Sequence, residues 1–360
     1  MKTLNDLCTK ASSSIAQKDI ADNNGDYPIY GASGFIKNVD FFAQEKPYIA
    51  IVKDGAGVGR VMKLPAQSSV IGTMQYIIPN EGVNVGYLAY ALEHMNLAKY
   101  CTGATIPHIY FKDYCKEKLP EHSMEEQTRI ADELAQVDNI IASRQEQLAK
   151  LDELVNARFV ELFGGADYPK VLFENVCVFL RNGASIKQTK GAGGYPITRI
   201  ETLSNDVFNI DRLGYADITD LEKYQSYVLH NGDILISHIN SVAYLGRAVQ
   251  YRGQLDTPII HGMNLLCARI ADSYNPTYIE WFFKTPMAKE YISTITKKAV
   301  NQASITTSDL KKMQVPNPPK NLQEQFAAFV EQTDKSKLAI QQSLDKLETL
   351  KKALMQEYFG

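Results

Sequence analysis

The sequence predicts an α+β fold in which two mixed, strand-rich α/β domains are joined and separated by two long antiparallel coiled-coil helices. Three observations predict it: landmarks of the first half recur in the second, each half ends in a long amphipathic stretch, and short β-branched runs precede these stretches. The predicted boundaries are residues 1–120 for the first domain, 121–164 for the central helix, 165–320 for the second domain and 321–360 for the C-terminal helix.

The internal repeat is recognised from short landmarks that recur in the same order. Both halves end in an aromatic residue followed by glycine, at Phe163-Gly164 and Phe359-Gly360. The other matched landmarks are Gly59-Arg60 with Gly246-Arg247, Met74-Gln75 with Met263-Asn264, Ala104-Thr105-Ile106 with Ala303-Ser304-Ile305, Leu119-Pro120 with Val315-Pro316, and Glu126-Gln127 with Glu324-Gln325. Such ordered self-similarity predicts a pseudo-twofold internal repeat.

The long helices are predicted from their start signals and their heptad spacing. Ser123 and Glu126 fit a capping box at the start of the first helix, and the second is expected to begin at Asn321. Apolar residues follow at alternating steps of three and four, which is typical of a coiled coil. The predicted packing positions are Leu134, Val137, Ile141, Leu148, Leu151 and Val155 in the first helix and Ile340, Leu344, Leu347 and Leu354 in the second.

Each segment before a long helix is predicted to be a mixed α/β domain. Residues 47–52 and 233–236 are β-branched runs bounded by turns and are predicted strands. Residues 87–94 and 276–284 are predicted short helices, with Trp281 in the core.

Charge and cysteine content restrict the class of protein. The net charge of −3 is uneven: residues 1–120 carry +1, 121–164 carry −6, 165–320 carry +3 and 321–360 carry −1. The two mildly positive segments permit contact with a polyanion. The five cysteines are scattered without a C-x-x-C pair, which favours reduced thiols over disulfides or a zinc site. Without a membrane-length apolar run or a signal peptide, a cytoplasmic protein is expected.

Four elements of the chain together resemble a known family. They are the glycine-rich stretch 54–60, the stretch 72–75, the recurring Ala-Thr/Ser-Ile element, and helices that run from Glu-Gln to Leu/Tyr-Phe-Gly. In this order, in two copies, they resemble the specificity subunits of type I restriction–modification systems. The resemblance covers the whole chain.

The resemblance implies a non-catalytic subunit without a cofactor or metal. Each variable half would be a target-recognition domain that reads one half of a bipartite site in double-stranded DNA. The helices would set the distance between these domains and dock two methyltransferase subunits, one per half. Restriction subunits would be further partners where the system has a nuclease.

Candidate DNA-binding residues lie in three loops of each domain. In the first domain one of these is a glycine-rich surface loop with Lys53 at its start and Arg60 at its end, and in the second a polar loop, residues 237–247, is its copy. Arginine and asparagine can pair bidentately with guanine and adenine, and lysine suits phosphate. The candidates are Lys53, Arg60, Thr73, Gln75, Thr102, Thr105, His108, Ser237, His238, Asn240, Tyr244, Arg247, His261, Asn264, Lys297, Lys298, Asn301 and Gln302. Ordinary turns and a solvated lysine pair remain the structural alternatives.

Two other functions are open at this point. A stand-alone methyltransferase or nuclease would need catalytic motifs, and Asn317-Pro318-Pro319 resembles the Asn-Pro-Pro-aromatic loop of adenine methyltransferases. Its fourth position, however, is Lys320, which cannot stack on a flipped base as an aromatic ring does, and no glycine-rich cofactor loop accompanies it. A rigid linker before the helix is the simpler interpretation. The third hypothesis is a coiled-coil adaptor that binds protein only.

Overall fold

A computed structural model describes residues 1–103, 106–165, 167–189, 193–299 and 302–360. The chain divides into two compact units, the first made of residues 1–148 and 339–360 and the second of residues 149–338. Each long helix therefore contributes one end to each unit.

The first unit contains short strands, short helices and the beginning of the first long helix. Its strands are β1 (Lys2–Thr3), β2 (Cys8–Ser12), β3 (Tyr27–Gly31), β4 (Gly34–Val39), β5 (Tyr48–Val52), β6 (Val61–Leu64), β7 (Ser69–Val70), β8 (Met74–Pro79) and β9 (Lys118–Leu119). Its helices are α1 (Leu4–Leu7), α2 (Val85–His94), α3 (Phe111–Tyr114) and the start of α4 (Met124–Phe163).

The core of the first unit lies on both faces of an antiparallel sheet in the order β2-β8-β5-β6. All five residues of β5 are buried. Because side chains alternate along a strand, Ile49 and Ile51 face a cluster with helix α2, whereas Tyr48, Ala50 and Val52 face a second cluster. This burial on both faces explains why the run is continuously apolar.

The second unit is built from a similar series of elements. Its strands are β10 (Lys170–Leu172), β11 (Cys177–Asn182), β12 (Gln188–Thr189), β13 (Tyr195–Ile197), β14 (Leu203–Ser204), β15 (Val207–Phe208), β16 (Gly214–Ala216), β17 (Ile234–Ser237), β18 (Ile239–Asn240), β19 (Ala248–Gln250), β20 (Leu265–Ile270), β21 (Lys297–Lys298), β22 (Ala303–Ser304) and β23 (Gln314–Pro316). Its helices are α5 (Phe173–Val176), α6 (Pro276–Phe282), α7 (Pro286–Ile295), α8 (Thr307–Lys311) and the start of α9 (Lys320–Phe359).

The main sheet of the second unit has the equivalent order, β11-β20-β17-β19. The strand β17 pairs with β20 as β5 pairs with β8, so Ser237 opposite Leu265 corresponds to Val52 opposite Met74. Trp281 is buried beside this sheet, as the sequence predicts. The α+β class and the internal repeat are confirmed.

The strand pairing corrects two of the repeat landmarks. Met74 corresponds to Leu265, so Thr73 rather than Gln75 is the counterpart of Asn264. The amide groups of Ile109 and Ile305 donate to Lys53 and His238, which makes Ile305 the counterpart of Ile109 rather than of Ile106. Ala104 and Thr105 of the same landmark lie outside the described residues. The Gly59-Arg60 and Gly246-Arg247 match is confirmed, because Gly59 and Gly246 donate to the equivalent carbonyls of Val52 and Ser237.

A third landmark is shifted at the start of the long helices. The side-chain oxygen of Gln127 accepts from the amide of Asn84 at 2.9 Å, and its nitrogen donates to the carbonyl of His122 at 3.0 Å. Gln323 makes the same contacts with Asn275 at 2.9 Å and Pro318 at 2.8 Å. Gln127 therefore corresponds to Gln323 and not to Gln325.

Both long helices have 40 residues, and from Ile109 and Ile305 onward each residue of the first half has its counterpart 196 positions later.

The capping box is confirmed, since Glu126 accepts from the amide of Ser123 and donates its own amide to the Ser123 hydroxyl. Helix α9 begins at Lys320, one residue before the predicted Asn321, because the Pro319 carbonyl already accepts from Leu322 and Gln323.

The predicted packing positions of the long helices are all at least half-buried. Leu134, Val137, Val155 and Leu344 are buried. The intermediate positions are Ile141, Leu148, Leu151, Ile340, Leu347 and Leu354.

The helices contact each other within each unit through defined pairs. In the first unit Lys351 pairs with Asp138 at 2.7 Å, and Tyr358 donates to Glu133 at 2.7 Å. In the second unit Lys337 pairs with Asp152 at 2.5 Å. The segments that pair run antiparallel, because the C-terminal end of one helix meets the N-terminal part of the other.

Candidate functional site

Three loops of the first unit converge at the end of β5. The amide groups of Lys53 and Asp54 donate to the carbonyl of Thr73 at 3.0 and 3.2 Å, and the amide of Gly55 donates to Pro107 at 2.9 Å. Thr102 and His108 exchange backbone hydrogen bonds in the third loop. The structure therefore brings together the glycine-rich loop, the turn at Thr73 and the loop that contains His108.

The glycine-rich loop depends on backbone conformations that favour glycine. Gly55, Gly57 and Gly59 have φ values of +83°, +87° and +86°. A Cβ atom on Gly59 would also lie 2.7 Å from the backbone nitrogen of Ala98. The loop is thus held against the rest of the unit and presents Arg60 at its end.

The charged groups of this first site are partly paired with each other. Lys53 contacts Asp54 at 2.6 Å, and Nδ1 of His108 hydrogen-bonds the same carboxylate. Burial raises the pKa of Asp54, but the hydrogen bonds from Lys53 and His108 outweigh it, so this pKa lies below its usual value. Arg60 is exposed, and its Nη1 donates to the carbonyl of Ala32 at 2.8 Å.

The second unit repeats this arrangement with different side chains. The loop from Ser237 to Arg247 is closed by a hydrogen bond from the amide of Gly246 to the carbonyl of Ser237 at 2.8 Å. Strand β18 within it pairs with β22, and β22 pairs with β21. Asn264 is exposed at the turn that corresponds to Thr73. The polar loop, this turn and the lysine-bearing strand therefore converge in one place.

Arg247 is held by three neighbours. Its Nε lies 2.8 Å from Oδ1 of Asp206, its Nη1 donates to the carbonyl of Leu203 at 3.1 Å, and its guanidinium lies 4.8 Å from the centre of the Tyr244 ring. The Arg247 side chain is 22% exposed, whereas Tyr244 is 47% exposed.

Four predicted site residues are buried, and the structure corrects their assignment. Gln75 is 1% exposed and hydrogen-bonds the Tyr114 hydroxyl, because its position in β8 turns it inward. Ser237 ends strand β17 and is buried, as is His238. His261 hydrogen-bonds the carbonyl of Leu265 at 2.8 Å, and burial lowers the pKa of its ring to about 4. These four side chains are not available to a ligand on the surface.

The remaining candidates lie on the surface or at its edge. Lys297 is exposed with Asp309 3.8 Å away, and Asn240 is half-buried with its side-chain nitrogen 3.3 Å from Ser237. Thr105 and Asn301 lie outside the described residues. The other exposed candidates are Thr73, Thr102, Lys298 and Gln302.

The structure adds residues that the sequence analysis did not single out. An open concavity of about 500 Å³ lies beside Arg247, and its lining includes Asn205, Asn209, Arg212, Asn240 and Tyr244. Asn205 and Asp206 form the turn of the hairpin β14–β15. An Asn-Asp pair between two short apolar runs is a hairpin signal that could have identified this turn in the sequence.

Two copies of one α+β arrangement, each leading into a long helix and each presenting three converging polar loops, define an internally repeated recognition protein. The chain belongs to the type I restriction modification DNA specificity domain family, whose model matches residues 1–153 and 170–351.

Two curated relatives are type I restriction enzyme specificity subunits by name. A protein of Methanocaldococcus jannaschii assigned as the MjaX specificity subunit is 36% identical over 187 residues, which cover 52% of this chain and 44% of that relative. The EcoKI specificity subunit of Escherichia coli is 26% identical over 310 residues, which cover 78% of this chain and 65% of that relative. The chain thus matches less than two thirds of the length of either relative.

A solved structure has the same fold. The S subunit of a type I restriction-modification system from M. genitalium superposes with a TM-score of 0.65 at 14% identity, covering 100% of this chain and 95% of that one. Within the described ranges, no helix is long and apolar enough to cross a bilayer. The same residues contain no cluster of three or more histidine, cysteine or acidic side chains that could hold a metal ion.

Proposed function

We propose that this chain is the sequence-specific DNA-binding subunit of a type I restriction–modification complex and has no catalytic activity of its own. The observation that carries the proposal is the recurrence of one loop arrangement in both units, each with an arginine after the equivalent glycine. Arg60 and Arg247 follow Gly59 and Gly246, and both donate to a backbone carbonyl of a neighbouring hairpin or loop. Two similar but chemically different sites suit the reading of two different half-sites.

The two target-recognition domains are residues 1–120 and 165–320, and residues 121–164 and 321–360 form the helices that join them. The partners are double-stranded DNA, two methyltransferase subunits and, where the system has a nuclease, its restriction subunits. The complex acts in the cytoplasm, and this chain needs no cofactor. The family match and the names of the curated relatives support the type I system and DNA as the ligand.

The test is methylome sequencing of a host that expresses the chain with its cognate methyltransferase subunit. We expect a bipartite motif: two short specific sequences separated by unread base pairs. Replacing residues 1–120 with the first domain of another family member should change one half of this motif only. A continuous motif, or a replacement that changes both halves, would contradict the proposal.

The two alternative functions give different results. A stand-alone methyltransferase would transfer methyl groups in the absence of a partner subunit, so the purified chain is incubated with labelled S-adenosylmethionine and DNA. A protein-only adaptor would leave the assembled complex unable to bind DNA. We expect neither result.

A further inference from the structure

We propose that Asp206 is a positioning residue that fixes the guanidinium of Arg247 to read a guanine in the half-site bound by the second unit. This inference rests on the proposed DNA-binding function and assigns roles within it.

The geometry of the hairpin β14–β15 supports this role. Asn205 and Asp206 form its two-residue turn with φ values of +52° and +58°, which is the left-handed pair that a tight hairpin turn needs. The turn brings the Asp206 carboxylate within 2.8 Å of Nε of Arg247. The carbonyl of Leu203, at the base of the same hairpin, accepts a hydrogen bond from Nη1. One short element therefore holds the arginine at two of its nitrogen atoms, and Tyr244 covers the guanidinium face.

The charge of Asp206 favours a base over a phosphate as the ligand of Arg247. A carboxylate beside the arginine offsets its positive charge and repels a phosphate. Guanine instead presents two neutral acceptors, O6 and N7, whose recognition depends on a fixed planar fork. Two of the five N–H groups of Arg247 are engaged by Asp206 and Leu203, and the terminal nitrogens keep donors for a ligand.

The surroundings of Arg247 also suit a base edge. The adjoining concavity of about 500 Å³ is lined by the amide side chains of Asn205, Asn209 and Asn240, by the exposed ring of Tyr244 and by one acidic and one basic residue, Glu201 and Arg212. These groups both donate and accept hydrogen bonds, as the varied edges of bases require, whereas phosphate needs donors only.

Arg60 provides an internal comparison. It occupies the equivalent position in the first unit and donates to the carbonyl of Ala32, but within the part of the chain that the structure describes it forms no ion pair. Arg60 is exposed, which suits a phosphate contact. The two arginines thus differ in exposure, in the carboxylate beside the guanidinium and in the aromatic ring that covers it.

The test compares Asp206→Asn with Asp211→Asn in the complete complex with the methyltransferase subunit. Asparagine keeps the left-handed backbone of the turn and removes only the charge. Asp211 is an exposed carboxylate near the same concavity, and its removal changes the net charge equally. Affinity is measured at several salt concentrations for two duplexes, one with the motif found by methylome sequencing of the wild-type complex and one with that motif scrambled.

We expect Asp206→Asn to weaken binding to the motif duplex by about tenfold or more while binding to the scrambled duplex is unchanged or slightly tighter. Arg247→Lys, which keeps the charge but loses the planar fork, should cause the same selective loss. The two changes combined should cost little more than either alone, because both remove one contact. Asp211→Asn should not reduce selectivity.

Three results would overturn the inference. If Asp206→Asn and Asp211→Asn have the same effect on both duplexes, Asp206 is an ordinary surface carboxylate. Unchanged binding of Asp206→Asn to both duplexes would exclude the positioning role as well. A wild-type complex that binds both duplexes equally would overturn the proposed function, and this inference with it.

Discussion

Gln127 and Gln323 occupy the same place in the two halves of the chain, and each joins the start of a long helix to the N-terminus of a short helix. Each accepts from the amide of an asparagine, Asn84 or Asn275, that in turn caps the short helix α2 or α6. Tyr87 and Tyr278 add a second equivalent contact by donating to the carbonyls of Pro120 and Pro316. These hydrogen bonds attach each globular part to its helix without involving the candidate recognition loops.

Replacing Gln323 with leucine should lower the free energy of unfolding by about 1–3 kcal/mol, because the partly buried amide of Asn275 and the buried carbonyl of Pro318 lose their partner. Chemical denaturation measures the loss. Gln325→Leu is the matched control, since Gln325 is exposed on the same helix. An equal effect of the two substitutions would show that the contacts of Gln323 contribute nothing specific.

Replacing Arg60 or Arg247 with alanine should weaken binding of the assembled complex to its recognition sequence by about 1–3 kcal/mol in each case. Because Arg60 is exposed and Arg247 is paired with Asp206, the two variants should lose different properties of binding. Arg60→Ala should weaken binding to all sequences and reduce the salt dependence, whereas Arg247→Ala should relax one position of the motif. Titrations at several salt concentrations distinguish these results. Normal binding by both variants would make the arginines structural.

Acid should destabilise the second unit through His261. Burial lowers the pKa of this ring from 6.5 to about 4, so the unfolded chain takes up a proton over a pH range in which the folded chain does not. The contribution of His261 is complete above about pH 6.5 and is lost as the pH falls towards 4, by roughly 3 kcal/mol in total. Burial shifts the pKa of His238 in the same direction.

The measurement is the unfolding free energy between pH 7 and 4 for the wild type and for His261→Gln. The glutamine variant should show a shallower loss on acidification, whatever its stability at pH 7. Equal slopes for the wild type and His261→Gln would refute the role of this ring.

Inserting one heptad into α4 between residues 148 and 149 should impair assembly, and a matching heptad in α9 between residues 338 and 339 should restore it. Asp138 and Asp152 lie two heptads apart, as do their partners Lys351 and Lys337, so equal lengths of helix lie between the two pairs. A change in one helix alone breaks this equality. Size-exclusion chromatography with the methyltransferase subunit tests assembly, and assembly of both single insertions would contradict the register argument. Methylome sequencing of the double insertion should show a longer spacer.

The elements with strong local signals could be predicted from the sequence. The capping box at Ser123 depends on contacts within four residues. The apolar run of β5 and the heptads of the long helices depend on tertiary packing, but their residue patterns can be recognised within a short stretch of chain. The equivalence of Gln127 and Gln323 could not be predicted in this way, because it depends on hydrogen bonds to Asn84 and Asn275, more than forty residues away. The dipeptide Glu324-Gln325 is identical to Glu126-Gln127, so aligning identical residues gives a register that is wrong by two positions.

The candidate site shows the same limit. Polar residues in loops were expected on the surface. Gln75, however, hydrogen-bonds Tyr114 in the core, and the buried ring of His261 hydrogen-bonds the carbonyl of Leu265. Whether a polar side chain faces inward depends on one step of strand register, which the local sequence does not determine. The ion pair joins Asp206 in the turn of the hairpin β14–β15 to Arg247 at the end of the polar loop. These residues are 41 positions apart in the sequence, so only the folded chain reveals the pair.

The constant interval of 196 residues from Ile109 onward also has an evolutionary consequence. Insertions and deletions that distinguish the two halves are confined to the segments before Ile109 and Ile305, which include the glycine-rich and polar loops. Everything after these positions has accumulated substitutions without a net change in length. A lineage of such chains can therefore diversify the length of its recognition loops while the helices that follow keep the same size.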